Sequence, residues 1–254
     1  MLEQILDVTR RRTATLNESE LRAQASDLPP ARPFQAALAA PGVSIIAEIK
    51  WRSPSRGELA GDLDPATQAG VYEAGGAAAI SVLTEPEFFS GSLDDLAAVR
   101  GSVSLPVLRK DFILTTAQLW ETRAAGADAV LLIVAALSHD DLAGLLNEAE
   151  AAGLAALVEV HTAAEAGQAL AAGAQIIGVN NRDLGTFTVD LATAEMLAPI
   201  LQGVAVRVAE SGIFTGADAR RMAAVGYNAV LVGEALVTSD DAARLVGELR
   251  GVVP

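Results

Sequence analysis

Beyond about residue 42, apolar and polar positions change over in blocks with a steady rhythm. Short runs rich in Val, Ile and Leu occupy 43–49, 78–83, 105–109, 128–134, 155–160, 175–180, 204–209 and 228–232. They are apolar on both parities, the pattern of parallel strands covered on both faces. Between them lie amphipathic, Ala- and Leu-rich stretches of helical length. Ser or Thr opens several of these with an acid or amide three residues on: Ser92 with Asp95, Thr115 with Gln118, Thr162 with Glu165, Thr215 with Asp218. Glycines at 76, 126, 173 and 226 close the preceding helices in the left-handed position just before a strand.

The pattern predicts a βα unit repeated eight times. Eight units at this spacing favour a closed (β/α)8 TIM barrel over an open doubly wound sheet. No Gly-x-Gly-x-x-Gly follows the first strand, and no Walker loop is present. Residues 1–42 stand outside the rhythm. Leu2, Ile5 and Leu6 form a small apolar stripe, Asn17 caps a second helix over 18–26, and Pro29-Pro30 breaks it. The expectation is a single barrel domain over 1–254, of which 1–42 is a helical extension packed on the barrel.

Composition narrows the function classes. Half of the 254 residues are apolar and the mean hydropathy is +0.35. No apolar run reaches the length of a membrane span. The start of the chain has an acid at position 3 and no apolar core of a signal peptide, so a cytoplasmic setting is expected. Cysteine is absent, which removes disulfides and thiolate metal sites. A net charge of −14 argues against nucleic acid and anionic membranes as partners. It also means that an anionic ligand must be captured by local groups. The two histidines, His139 and His161, lie in no metal-binding spacing, and no metal is expected.

Enzymes on this fold build their sites at the C-terminal ends of the strands. The first run ends in Glu48 and Lys50, the third in Lys110, the fifth in Glu159, the sixth in Asn180 and Arg182, and the seventh in Glu210 and Ser211. One polar group there is ordinarily a satisfied structural pair; five strand ends at equivalent positions describe a convergent site. Lysines and carboxylates in a partly dry mouth shift one another's pKa values and suit general acid and base work. Gly212 and Gly233 follow the seventh and eighth strands at helix starts, where bare amides cradle a phosphate. The segment after the first strand, "WRSPSRGELAGDLDP", reads as a long loop with anion-binding potential, able to close over a ligand.

Taken in order, "IAEIK", "SPS", "SVLTEPEFFSGS", "LRKDFI", "GADAVLLI", "LVEVH", "GVNNRDL", "ESGI" and "VGEAL" resemble the indole-3-glycerol-phosphate synthase family of tryptophan biosynthesis. The resemblance implies a lyase that uses no cofactor. It would close the ring of 1-(2-carboxyphenylamino)-1-deoxyribulose 5-phosphate with loss of CO₂ and water. It further implies Lys110 as general acid on the ketone oxygen, with Glu159 beside it stabilising the cationic intermediate. Lys50 would neutralise the substrate carboxylate or protonate the departing hydroxyl, and Glu48 would be the base that restores aromaticity. Asn180, Glu210 and Ser211 would orient the sugar, with Arg182 in support. Lys50, Ser53, Gly212 and Gly233 would hold the phosphate, and Pro54, Phe89, Phe112, Leu131 and Leu184 would wall the aromatic ring. The partner is then a small phosphosugar, and the chain a monomer or weak homo-oligomer.

Two positions depart from the family pattern. Trp51 stands where a basic residue is common, and strand alternation points it away from Lys50. Glu234 stands where a serine commonly binds phosphate; its amide can still donate, and its carboxylate is expected to turn away. Phosphoribosylanthranilate isomerase, a sister barrel, needs a cysteine–aspartate pair and is excluded by the missing cysteine. A Schiff-base aldolase-type barrel and a non-catalytic phosphometabolite-binding barrel stay open as alternatives.

Overall fold

The computed structural model describes residues 1–53, 57–59, 64–183 and 185–251. Three helices come first: α1 (Leu2–Thr13), α2 (Glu18–Ser26) and α3 (Phe34–Leu38). The barrel follows as β1 (Ser44–Ile49), a two-stranded hairpin of β2 (Arg52–Ser53) and β3 (Gly57–Glu58), α4 (Pro65–Ala74), β4 (Ala79–Leu83), α5 (Leu93–Ser102), β5 (Val107–Lys110) and α6 (Thr116–Ala124). Then come β6 (Ala129–Ile133), α7 (His139–Ala151), β7 (Ala155–Val160), α8 (Ala163–Ala171), β8 (Ile176–Asn180) and α9 (Ala192–Leu197). The last elements are β9 (Val206–Glu210), α10 (Gly216–Ala224), β10 (Ala229–Val232), α11 (Glu234–Val237) and α12 (Ala242–Arg250). Among the described residues β1 and β4 to β10 close into one parallel barrel, with β1 hydrogen-bonded to both β4 and β10.

The predicted helix starts form for the expected reason. The side chains of Asn17, Ser92, Thr115, Thr162 and Thr215 each accept a hydrogen bond from the amide three residues on. Gly76, Gly126, Gly173 and Gly226 all have positive φ. The stretch after β1 differs from the expected loop. Its described part is a short antiparallel hairpin with Arg52 opposite Glu58, closed by Leu59 N–H donating to Trp51 O at 2.8 Å.

Strand alternation sorts the interior. Ile46, Leu108, Leu131, Leu157, Val208 and Leu231 pack together inside the barrel with Phe34 and Leu38 of α3. α3 therefore plugs the N-terminal end, tied there by Ser44 Oγ donating to Ala37 O at 3.3 Å. α2 lies along α6: Thr116 Oγ1 donates to Glu18 at 2.5 Å, and Arg22 stacks 4.3 Å from the Trp120 ring centre. α1 reaches the opposite end, where Arg12 grips both oxygens of Asp111 at 3.0 Å. The extension thus runs from the C-terminal end of the barrel down the flank to the base. No helix among the described residues is long and apolar enough to cross a membrane.

Phe34 is 1 % exposed and fills the base of the interior. Phe34→Ala should lower the unfolding free energy by about 3–5 kcal/mol in urea titration. A loss under about 1 kcal/mol would mean that α3 is not part of the packed core.

Candidate active site

β5 and β9 each run one residue further than the apolar pattern indicated, and the extra residues are Lys110 and Glu210. Pairing of Lys110 with Leu83 and of Glu210 with Asn180 fixes their Cα positions in the ladder. Alternation then turns Lys110 inward while Arg109 and Asp111 turn outward. Arg109 is buried behind the sheet, bonded to Asp111 (2.9 Å), Glu121 (2.8 Å) and Thr84 (3.1 Å).

Lys110 Nζ stands among three carboxylates. It lies 2.6 Å from Glu210 Oε2, 3.6 Å from Glu159 Oε2 and 3.8 Å from Glu48 Oε2. The other oxygen of Glu48 meets Lys50 Nζ at 2.9 Å. Sequence reasoning placed these residues from four strands at one centre, and the geometry brings them there. The chain has only these two lysines.

The charges settle one another. Burial disfavours the Lys110 ammonium, but Glu210, Glu159 and Glu48 outweigh it and push its pKa above the ordinary lysine range. Burial also works to raise the Glu48 carboxyl, yet Lys50 and Lys110 hold it below the usual carboxylate range. Glu210 goes the other way. Its burial dominates, Lys110 opposes, and repulsion from Glu159 and Glu48 adds to the rise, so it is pushed up to about 7.

A cleft opens above this centre, bordered by Glu48, Lys50, Lys110, Glu159, Asn180, Arg182, Ser211, Gly212, Gly233 and Glu234. Its apolar wall includes Phe89, Phe112 and Leu131, with the two phenyl rings 6.3 Å apart between centres. Glu210 does not border it; this residue is fully buried beneath Lys110. Pro54 and Leu184 lie outside the described residues, as does the Ser53 side chain. Trp51 turns outward, its Nε1 donating to Asp95 of α5 at 3.0 Å.

At the β9 end the chain bends at Ser211 (φ 62°) and Gly212 (φ 82°). A left-handed serine is uncommon, and the bend is held from behind. Asn181 Nδ2 donates to the carbonyls of Glu210 (3.0 Å) and Ser211 (3.1 Å). Two glycines make room for the carboxylates. A Cβ on Gly178 would stand 2.1 Å from Glu210 Oε1, and one on Gly233 would stand 2.4 Å from Glu48 Oε1. Gly233 is the N-terminal cap of α11, which starts at Glu234.

Several residues of the site were not foreseen. Met1, Leu2 and Ile5 at the start of the chain, together with Phe187 and Phe214, border the cleft, and Asp111 anchors α1 through Arg12. The apolar stripe of α1 was visible in the sequence, but its target was not. Asn181 went unremarked beside Asn180, although "NNRD" offered both amides.

The indole-3-glycerol phosphate synthase family model matches residues 2–249. The chain belongs to the indole-3-glycerol phosphate synthase family. It is 51% identical to the indole-3-glycerol phosphate synthase of Rhodococcus jostii, over 98% of this chain and 94% of that protein. It is 52% identical to that of Mycolicibacterium gilvum, over 94% and 88%. Among solved structures, a 3-hexulose-6-phosphate synthase superposes with a TM-score of 0.66 at 18% identity, covering 84% of this chain and all of that one. Thiamine phosphate pyrophosphorylase from Pyrococcus furiosus gives 0.63 at 17%, covering 87% and 98%. These two likenesses speak to the barrel alone.

Glu210 holds its proton more tightly in the folded chain, at about 7, than at the ordinary value of 4.5. The folded state therefore binds more protons between these values, and this component of stability is lost as pH rises through them. Glu210→Gln removes it. The unfolding free energy of the variant relative to the unsubstituted chain should rise from about pH 4.5 to about pH 7 in urea titrations. A constant difference across that window would contradict the assignment.

Proposed function

We propose that the chain closes the ring of 1-(2-carboxyphenylamino)-1-deoxyribulose 5-phosphate, releasing CO₂, water and indole-3-glycerol phosphate. One observation carries this reading: an ammonium held charged by three carboxylates at the floor of a cleft with an aromatic wall. The whole chain acts as one unit in it, since α1 contributes to the cleft.

In the first step the ring carbon bearing the carboxylate attacks the ketone carbon. Lys110 gives a proton to the ketone oxygen as the carbon–carbon bond forms. Loss of CO₂ returns its bonding pair to the benzene ring. Proton donation from Lys50 then lets the new hydroxyl leave as water, pushed by the nitrogen lone pair, and Glu159 stabilises the resulting cation. Glu48 removes the last proton to complete the pyrrole ring. Its depressed pKa keeps it ionised and ready to accept.

We place Glu210 behind Lys110 rather than on the sugar, because it has no face on the cleft. A carboxyl that titrates near 7 and lies 2.6 Å from Lys110 can return the proton that the lysine spends. Asn180 and Ser211 remain for the sugar hydroxyls, with Arg182 in support. The amides around Gly212 and Gly233 take the phosphate, with Lys50 as counter-charge, and the Glu234 carboxylate turns from it.

The Schiff-base alternative is disfavoured by the same charges. Such a lysine must be a free amine, and neighbours that lower its pKa activate it; the three carboxylates around Lys110 do the reverse. The test is indole absorbance after adding the carboxyphenylamino sugar. Lys110→Ala should cut the rate at least ~10²–10⁴-fold, the usual worth of a positioned proton donor. Borohydride trapping of a substrate adduct on Lys110 would overturn the reading. So would an unaffected rate.

Gly233→Ala should also reduce turnover sharply, because the new methyl group displaces the Glu48 carboxylate. Wild-type activity in this variant would show that Glu48 need not stand where it does.

A further inference from the structure

His161 follows β7 directly and lies two residues past Glu159, on the same side of the strand. Its backbone N–H donates to Glu165 Oε2 at 2.7 Å, and its Nδ1 lies 3.2 Å from the same oxygen. Glu165 is itself fixed in the first turn of α8, where its amide donates to Thr162 Oγ1 at 3.2 Å. The other ring nitrogen, Nε2, is buried and has no hydrogen-bond partner among the described residues. It stands 3.4 Å from Glu159 Oε1, while Lys110 Nζ stands 3.6 Å from Glu159 Oε2. The two oxygens of one carboxylate thus face two different nitrogen bases.

We propose that His161, anchored on Glu165, is a positioning residue for Glu159, holding one carboxylate oxygen so that the other stays directed at Lys110. The inference rests on the reading that Glu159 takes part in the chemistry, and it adds a residue that reading does not use.

The surroundings supply the charge this requires. The groups facing the imidazole are Glu159 on β7, Glu165 on α8, Asp183 after β8 and Glu210 on β9. Burial disfavours the imidazolium, but the hydrogen bond to Glu165 and the charges of Glu159, Glu165 and Glu210 outweigh it, so the ring stays protonated above the usual histidine range. With Nδ1–H committed to Glu165, the only proton that can face Glu159 is on Nε2. At 3.4 Å the contact between the two is that of a close ion pair. When Lys110 passes its proton to the substrate, the imidazolium keeps a positive charge beside Glu159. The carboxylate that faces the developing cation thus keeps a cationic neighbour 3.4 Å away.

The chain has only two histidines, so imidazole NMR gives two sets of signals, and an H139Q sample assigns them. The His161 ring should titrate above free histidine and shift to lower pH in both E165Q and E159Q. An identical titration in all three proteins would overturn the pairing. In turnover assays H161Q, checked for an unchanged melting temperature, should lose about 10²-fold in kcat with little change in KM, the scale expected for a misplaced catalytic group. The pH profile of kcat should change with it. Unaltered kcat and profile, or a loss matched by a loss of folding, would overturn the proposal. If the unsubstituted protein fails to turn over the carboxyphenylamino sugar, the functional reading is what fails, and the NMR titrations still decide the pairing.

Discussion

The structure depends on keeping one ammonium, Lys110, charged inside a barrel that is otherwise packed with Ile, Leu and Val. Taking a lysine out of water costs several kcal/mol, and opposite charges repay this only with close geometry. Glu210, Glu159 and Glu48 supply that geometry from three strands. They also create a surplus, because three carboxylates face two lysines. The surplus is relieved at the most buried of the three: Glu210 takes up a proton near neutrality while Glu48, touching both lysines, stays ionised. A lysine occupies the place that a cation would take in a carboxylate cage, which suits proton transfer to an organic substrate.

Absent side chains matter as much as those present. Gly178 and Gly233 leave the volume into which the carboxylates of Glu210 and Glu48 project. Gly233 was expected as part of a phosphate cradle, and it stands at the start of α11. The space it leaves nevertheless belongs to Glu48. One glycine therefore links Glu48 to the end of the cleft where we propose that the phosphate binds. Gly212 is different: its φ of 82° demands glycine, and a Cβ there would stand 2.7 Å from Val189.

Much of this could be read from the chain because period-2 alternation and strand punctuation are local. Glu48 and Lys50 share a face whatever they meet, and Thr115 caps its helix with the residues beside it. The site emerged from strand ends because the fold converges them. What escaped is what only tertiary packing decides. The depth of Glu210 below the cleft follows from where β9 stops, and its final residue is polar, so hydropathy ended the strand one residue early. The placing of α1 over the mouth depends on Arg12 meeting Asp111 across 99 positions. His161 was weighed only as a metal ligand. Its partner Glu165 was visible, four residues on, but as a helix cap.

In the proposed function the substrate ketone sits on Lys110 while its phosphate sits at the amides of Gly212 and Gly233. The most direct measurement is a crystal structure with the substrate analogue in which that ketone is reduced to an alcohol. The alcohol oxygen should lie at hydrogen-bond distance, about 3 Å, from Lys110 Nζ. The aromatic ring should lie against Phe89 and Phe112. An analogue bound with its phosphate at Lys110, or outside the cleft that α1 borders, would contradict it.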